Sequence, residues 1–563
     1  MKKFILKYQH GIFAVVGAVV VLWQMLLPGY VLLLDWIAGP SNVFSYYTLS
    51  DIMHAPSTGF IYFLQMFLSA WFVQKIFLFG LFFVLFYFPL KFHPKEIFDA
   101  IAQDKPTIIS VKYFTSVFFA CNPFVYERFL AGQWRVIIGY AFMFPMVYYL
   151  FKFWNNRSWH AMVGAFATLF FVGIWSVHFL VIGGIMFLIY VSILFVANLK
   201  NKGVLWDVSK KLLFGILVFM AFSSYWIVPY MLQNDKTVEY FDASHQKAFA
   251  TAIDPKVGAL GNVITLRGFW GESHAWADQF VMPGDNTVVF YMSFFVIITL
   301  SIIGIRILWR DVKNRGFAVF LGVFFMLSVI FSAGISVNFL WKINEWLFEN
   351  VSFWSGFRDT QKWSGISAMI YVLLASVGVN LLVHSCKNRL AQKIVLGVCL
   401  LLPISLVSNM PFGFSGQIHS VQYPEQWHKV NVILKKDDEC KMIFLPWHQY
   451  YSVKFNSGML IANPAKKFFD CIVVTGHNTE LGGIASIAGD VKHYHEMESF
   501  VMSNNPQDEF IEKGIAMLRQ NNVRYIVWTN DLEGHDLYRY PFLHSSQLEE
   551  IYNGDGIVMY KIK

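Results

Sequence analysis

The chain has 563 residues, of which 56% are hydrophobic, 18% aromatic and only 14% charged, and its mean hydropathy is +0.48. That composition departs from a soluble globular average in the direction of repeated bilayer spans. The formal net charge of +8 sits in short basic segments between apolar runs, a placement that reports membrane topology and argues against a nucleic-acid partner.

Lys2, Lys3 and Lys7 precede an apolar run over about residues 11–34 that is longer than a signal-peptide core and lacks a small-residue cleavage site. A retained first helix with a cytoplasmic N-terminus is therefore expected, delivering Asp35 to the outer rim. Residues 59–90 are too long for one perpendicular crossing and are interrupted by Gln74 and Lys75, which predicts an outer interfacial helix followed by a descending span. Further spans are expected over about 107–121, 136–153, 159–175, 178–196, 212–231, 288–308, 317–333, 365–384 and 395–406. The total is about eleven crossings, with the basic clusters at 91–95, 152–157, 200–211, 310–315 and 387–389 on one side.

From about Asn409 the long apolar runs give way to segments of soluble length. Residues 442–445 and 523–528 read as strands, 512–520 as a helix, and 554–560 as a turn entering a last strand. The expected architecture is a polytopic α-helical membrane domain, 1–408, with outer loops 35–60, 122–135, 232–286 and 334–363, and an extracytoplasmic α/β domain, 409–563. No internal repeat is evident. The five cysteines, Cys121, Cys386, Cys399, Cys440 and Cys471, have no metal-binding spacing, and Cys440 could pair with Cys471 if their domain faces an oxidising space.

The outer loops gather acids and cations near one membrane face. Asp35 is the candidate base for sugar transfer, with Asp51 sharing that role or aligning the acceptor; a helix-terminating or solvated carboxylate is the plainer alternative for each. Arg128 could contact a lipid phosphate or pair with Glu127, while Arg358 and Lys362 could hold the phosphate or anchor a span at the interface. Tyr126, Glu127, Arg267, Trp270 and His274 complete a candidate substrate cleft. Trp270 and Trp276 would stack on sugar or cover the bilayer surface, and His274 with Glu272 or Asp278 could hold a divalent cation. The C-terminal region has no glycine-rich phosphate loop after its first strand, so nucleotide binding lacks support. Gly476-His477-Asn478, Asn530-Asp531 and His535-Asp536 have no catalytic spacing.

Taken in order, Pro28-Gly29-Tyr30 leading to Asp35, Asn122 to Arg128, Ser223 to Tyr230, Leu266 to Trp270 and Phe357 to Trp363 resemble the GT-C superfamily of membrane glycosyltransferases, and within it the AftD-like bacterial and archaeal arabinofuranosyltransferase group. The resemblance implies a polyprenyl-phosphate sugar donor, inversion at the anomeric carbon, Asp35 as base, and donor-phosphate contacts from Arg128 and from Arg358 to Lys362. Trp36 follows Asp35 where parts of the superfamily carry a second acid, leaving metal use and the role of Asp51 open. The chain is far shorter than the large members, so the acceptor is left as a cell-envelope glycan, glycolipid or glycoprotein. Two other classes fit many spans with polar ends: a lipid or polysaccharide transporter, and a non-catalytic envelope assembly protein.

Overall fold

The structure, a computed structural model, describes residues 2–41, 52–94, 97, 105–232, 243–285, 287–351, 353–476, 494–532 and 539–563. Nine helices among the described residues are long and apolar enough to cross a membrane, from Tyr8–Leu26 to Arg389–Leu406. Two shorter helices, Lys105–Ala120 and Trp159–Trp175, occupy the other two of the eleven expected positions. The 59–90 stretch divides as its length requires, into Ala55–Gln65 and Ala70–Lys91. Ser176 separates Trp159–Trp175 from Val177–Ala197 and caps the second helix by accepting from Phe179 N at 3.3 Å. The protein is thus a polytopic helical membrane protein carrying a C-terminal domain built on a mixed sheet.

Two elements differ from the sequence reading. The span expected to begin at about residue 212 starts ten residues earlier, as Lys202–Leu232, because Lys211 is accommodated within it: its Nζ reaches Asp207 one turn back at 2.5 Å and the Arg157 carbonyl at 2.7 Å. The first helix is shorter than expected. It ends at Leu22, with a 3-10 turn Trp23–Leu26, and then Pro28 and a left-handed Gly29 (φ 115°) redirect the chain into extended structure.

The described chain forms two compact units. The first is drawn from Met1–Gln24, Ile52–Ser57 and Phe77–Gln417, the second from Met25–Asp51, Thr58–Ile76 and Ile418–Lys563. In the first, contacts between Phe331 and Trp363, Ser328 and Ser367, and Phe325 and Tyr371 run in opposite chain directions, so Arg315–Ala333 and Ser364–Ser385 are antiparallel. Thr287–Arg310 packs against Ser364–Ser385 through small residues. A Cβ on Gly304 would lie 2.1 Å from the Leu374 carbonyl oxygen, and one on Gly378 2.3 Å from that of Leu300. Only glycine lets two backbones approach so closely, and in hydrocarbon such packing is the main source of helix association.

The second unit is a five-stranded sheet in the order β4-β1-β5-β7-β6, where β1 is Lys441–Leu445, β4 Ile472–Val474, β5 Tyr525–Thr529, β6 Leu548–Gly554 and β7 Ile557–Ile562. β1 runs parallel to β4 and β5, and β7 antiparallel to β5 and β6. A hairpin of β2, Tyr450–Val453, and β3, Met459–Ala462, lies outside that sheet. A disulfide joins Cys440 and Cys471 at the entrances to β1 and β4.

Into this unit is built the segment after the first helix. Tyr30 and Val421 exchange both backbone hydrogen bonds, at 2.7 and 2.8 Å, and Ala462 N donates to the Leu34 carbonyl at 2.8 Å. Gln74 brackets Val31, accepting from its N–H at 2.9 Å and donating to its carbonyl at 2.6 Å. Lys75 Nζ donates to Ser420 at 2.9 Å. The two polar residues that interrupt residues 59–90 are therefore fixed by partners in this unit.

Replacing Gly304 by Val should lower the melting temperature of the detergent-solubilised protein, with a loss of about 1–3 kcal/mol from overpacking against a backbone that cannot yield. Gly397→Val, where a Cβ meets nothing within 4 Å, should leave it nearly unchanged.

Candidate functional site

Three segments of the first unit converge: 122–133, 266–274 and 354–363. The first begins at Asn122, whose side chain joins two helices by donating to the Phe118 and Phe119 carbonyls at 3.1 and 2.9 Å and accepting from Val125 N at 3.1 Å. With Pro123 at the first turn, this cap starts the helix Pro123–Leu130, every residue of which is buried. Glu127 and Arg128 are consequently both fully enclosed.

Arg128 is fully committed. Its Nη2 donates to Asp359 Oδ1 at 2.9 Å and its Nη1 to Asp359 Oδ2, a two-point pairing across 231 residues. Its Nε donates to Gln361 at 3.1 Å, Nη2 also reaches Gln361, and Nη1 donates to Gln133 at 2.6 Å. Five bonds account for the five N–H groups of a guanidinium, and the Phe269 ring lies 4.6 Å from its Cζ. Burial by itself would raise the Asp359 carboxyl; Arg128 and then Lys362 outweigh it and hold the group well below the usual carboxylate range. Lys362 Nζ lies 3.5 Å from Asp359 and 3.2 Å from His178 Nε2.

Beside this network is a pair of carboxyls. Glu272 accepts from the Gly268 and Phe269 amides at 2.6 and 3.1 Å, and the Phe269 amide also lies 3.3 Å from Glu127 Oε2. Left-handed backbone at Leu266 (φ 64°) and Gly268 (φ 96°) orients these amides. Burial first, and the neighbouring Glu272 second, push the Glu127 carboxyl well up; burial raises Glu272 as well. The pair therefore retains a proton where isolated carboxyls would lose theirs.

Arg267 is held by Asp254 at 2.9 Å, Tyr291 at 2.7 Å and the Pro283 carbonyl at 3.1 Å. Trp270 is buried in a ring cluster with Phe249 and Phe269, with His274 at its edge, so it presents no open face for sugar stacking. Glu272 turns onto backbone amides, and among the described residues no three His, Cys, Asp or Glu side chains are grouped to hold a metal. Tyr126 donates to the Val281 carbonyl at 2.8 Å and lines a cavity of about 380 Å³ with Asp285, Ser405 and Asn409. Arg358 is half-buried, its Cζ 4.7 Å above the Phe249 ring.

Asp35 belongs to the second unit. It does not end a membrane helix; it occupies the corner of a turn closed by reciprocal Leu33–Trp36 backbone bonds at 3.0 and 3.2 Å, where Asp is a favoured residue. Its carboxylate is exposed and accepts from the Tyr450 hydroxyl at 3.2 Å. Asp51, Asp235, Glu239, Asp242, His477, Asn478, His535 and Asp536 lie outside the described residues. Asp359 and Gln361, which organise the site, had no role assigned from sequence. The one signal for them was the concentration of opposite charges in Arg358-Asp359-Thr360-Gln361-Lys362.

Asp359→Asn should destabilise the protein by about 3–5 kcal/mol by leaving Arg128 buried without its counter-charge, and pairing it with Arg128→Met should restore part of the loss in thermal unfolding. For Glu127 the raised carboxyl gives the opposite pH sign from Asp359: its contribution is complete below the ordinary value of 4.5 and declines as pH rises through the folded-state value. Glu127→Gln should therefore flatten the fall in melting temperature as pH rises above the ordinary carboxylate range.

No protein-family model matches the sequence, and no curated protein matches it significantly. Solved structures do match. The arabinofuranosyltransferase AftD from Mycobacteria superposes with a TM-score of 0.62 at 12% identity, over 99% of this chain and 40% of that one. A substituted form of the same enzyme gives 0.57 at 12% identity, over 99% and 41%. This chain thus spans about two fifths of the length of these arabinofuranosyltransferase chains. At that identity the likeness is one of fold, and it extends from the first helix through the C-terminal sheet: the chain has the fold of the AftD-like GT-C membrane glycosyltransferases.

Proposed function

We propose that the protein transfers a sugar from a polyprenyl-phosphate donor to a cell-envelope glycan, glycolipid or glycoprotein acceptor, with inversion at the anomeric carbon. The observation that carries this reading is the superposition of almost the whole chain on a membrane arabinofuranosyltransferase. The convergence of three loops rich in acids and cations at the ends of membrane helices supports it.

In the transfer the acceptor hydroxyl oxygen bonds to the anomeric carbon as the bond from that carbon to the phosphate oxygen breaks. The bonding pair leaves with the polyprenyl phosphate, and the hydroxyl proton passes to a carboxylate base. Asp35 is that base, its carboxylate being exposed and oriented by Tyr450; Asp51 assists it or aligns the acceptor. Arg358 and Lys362 stabilise the departing phosphate. Arg128 supports them indirectly, since its donors are occupied in setting the 359–362 turn. A divalent cation is an optional addition, tested by chelation.

The N-terminus is assigned to the cytoplasm by Lys2, Lys3 and Lys7 and the C-terminal domain, 409–563, to the opposite side. The Cys440–Cys471 disulfide supports that assignment, because such bonds persist in oxidising compartments.

Purified protein in liposomes containing polyprenyl-phosphate sugars should release polyprenyl phosphate and extend an envelope-glycan acceptor, followed by mass spectrometry. Asp35→Asn should abolish turnover without lowering the melting temperature; full activity would remove Asp35 from the chemistry. Arg358→Gln should raise KM for the donor roughly thirty-fold, the equivalent of about 2 kcal/mol for a hydrogen bond to a charged group. Movement of intact lipid-linked sugar across the bilayer without a covalent product would establish transport instead.

A further inference from the structure

The helix Asn338–Asn350, within a stretch whose sequence reads only as an outer loop, divides its surface three ways. Leu340 and Asn344, 4% and 0% exposed, face the first unit, where the Asn344 amide donates to the Gly334 carbonyl at 3.2 Å. Phe339, Ile343 and Trp346, at i, i+4 and i+7, form a stripe in which the three side chains are 74%, 48% and 59% exposed. Asn338, Lys342, Glu345 and Glu349 lie one turn apart from each other on the remaining side, where Trp341, 45% exposed, lines a cavity with Asn338, Glu345 and Glu349 and stands apart from the stripe.

A helix with one buried face and one wet face needs only two kinds of surface. The third, apolar and uncovered, requires a neighbour that is neither this unit nor water. The helix begins two residues after the membrane-length helix Arg315–Ser336 and is followed ten residues later by the next, Thr360–Ser385, which runs antiparallel to Arg315–Ser336. Both ends are thus tethered at the level where chain leaves the hydrocarbon. At that level water and acyl chains meet, and an aromatic residue such as Trp346 is favoured.

We propose that Asn338–Asn350 is an interfacial membrane-binding helix, lying along the bilayer surface with Phe339, Ile343 and Trp346 inserted among lipid acyl chains and Lys342, Glu345 and Glu349 in the headgroup water. It fixes the depth of the turn that follows it, Trp354 to Lys362, relative to the lipid phosphates. The insertion itself is independent of any catalytic reading.

Site-directed spin labelling of the full chain tests it. In a Cys386→Ser background, where Cys121 and Cys399 are buried, nitroxides are placed singly at Phe339→Cys, Ile343→Cys, Lys342→Cys and Glu349→Cys in phosphatidylethanolamine–phosphatidylglycerol liposomes. At 339 and 343 collisions with oxygen should exceed those with a water-soluble nickel chelate, and at 342 and 349 the order should reverse. Chelate-dominated collisions at all four positions would overturn the proposal by placing the stripe in water. Low collision with both reagents at 339 and 343 would also overturn it, by showing a protein partner or a second copy over the stripe. Ile343→Ser, labelled at Phe339→Cys, guards against a result caused by the label itself and should shift position 339 toward the chelate.

Discussion

A charge enclosed by protein must be answered by an opposite charge, and Arg128 has one answer: the carboxylate of Asp359, 231 residues away in the chain. Everything at the candidate site follows from that pairing. It draws the turn between two 3-10 segments, Trp354–Phe357 and Thr360–Trp363, against the helix Pro123–Leu130. Gln361, donating to the Arg267 carbonyl at 3.4 Å, then ties in the third segment. With water excluded, each hydrogen bond is stronger and each omission more costly, so the network fixes one arrangement of three loops that are otherwise remote in sequence.

The pairing also separates scaffolding from chemistry. A guanidinium whose five donors are engaged cannot take a phosphate without surrendering its carboxylate, whereas the half-buried Arg358 on the same turn is positioned by that network. The Glu127–Glu272 pair works in the same sense. By retaining a proton it lowers the negative charge close to the turn proposed to meet the phosphate, and its shared Phe269 amide locks the 266–272 loop.

Most membrane helices were legible because eighteen or more apolar residues admit few other solutions, and β1, β5 and β7 because short branched and aromatic runs stand between polar turns. Three features were not. Val31 to Leu34 is as apolar as the helix before it, and composition cannot distinguish the end of a span from a strand-like segment buried in a soluble core; Pro28-Gly29 was the local sign of the change. The helix Asn338–Asn350 was missed because its apolar positions serve two different faces, blurring the period. The Arg128–Asp359 contact was illegible because only folding brings those residues together. The order of the short motifs, by contrast, pointed to the fold that the superposition shows.

The decisive measurement is a cryo-EM structure of the full chain with polyprenyl phosphate bound. The account predicts the phosphate beside Arg358 and Lys362, with Arg128 still paired to Asp359. A phosphate displacing Asp359 from Arg128, or a lipid bound away from the 354–363 turn, would contradict it.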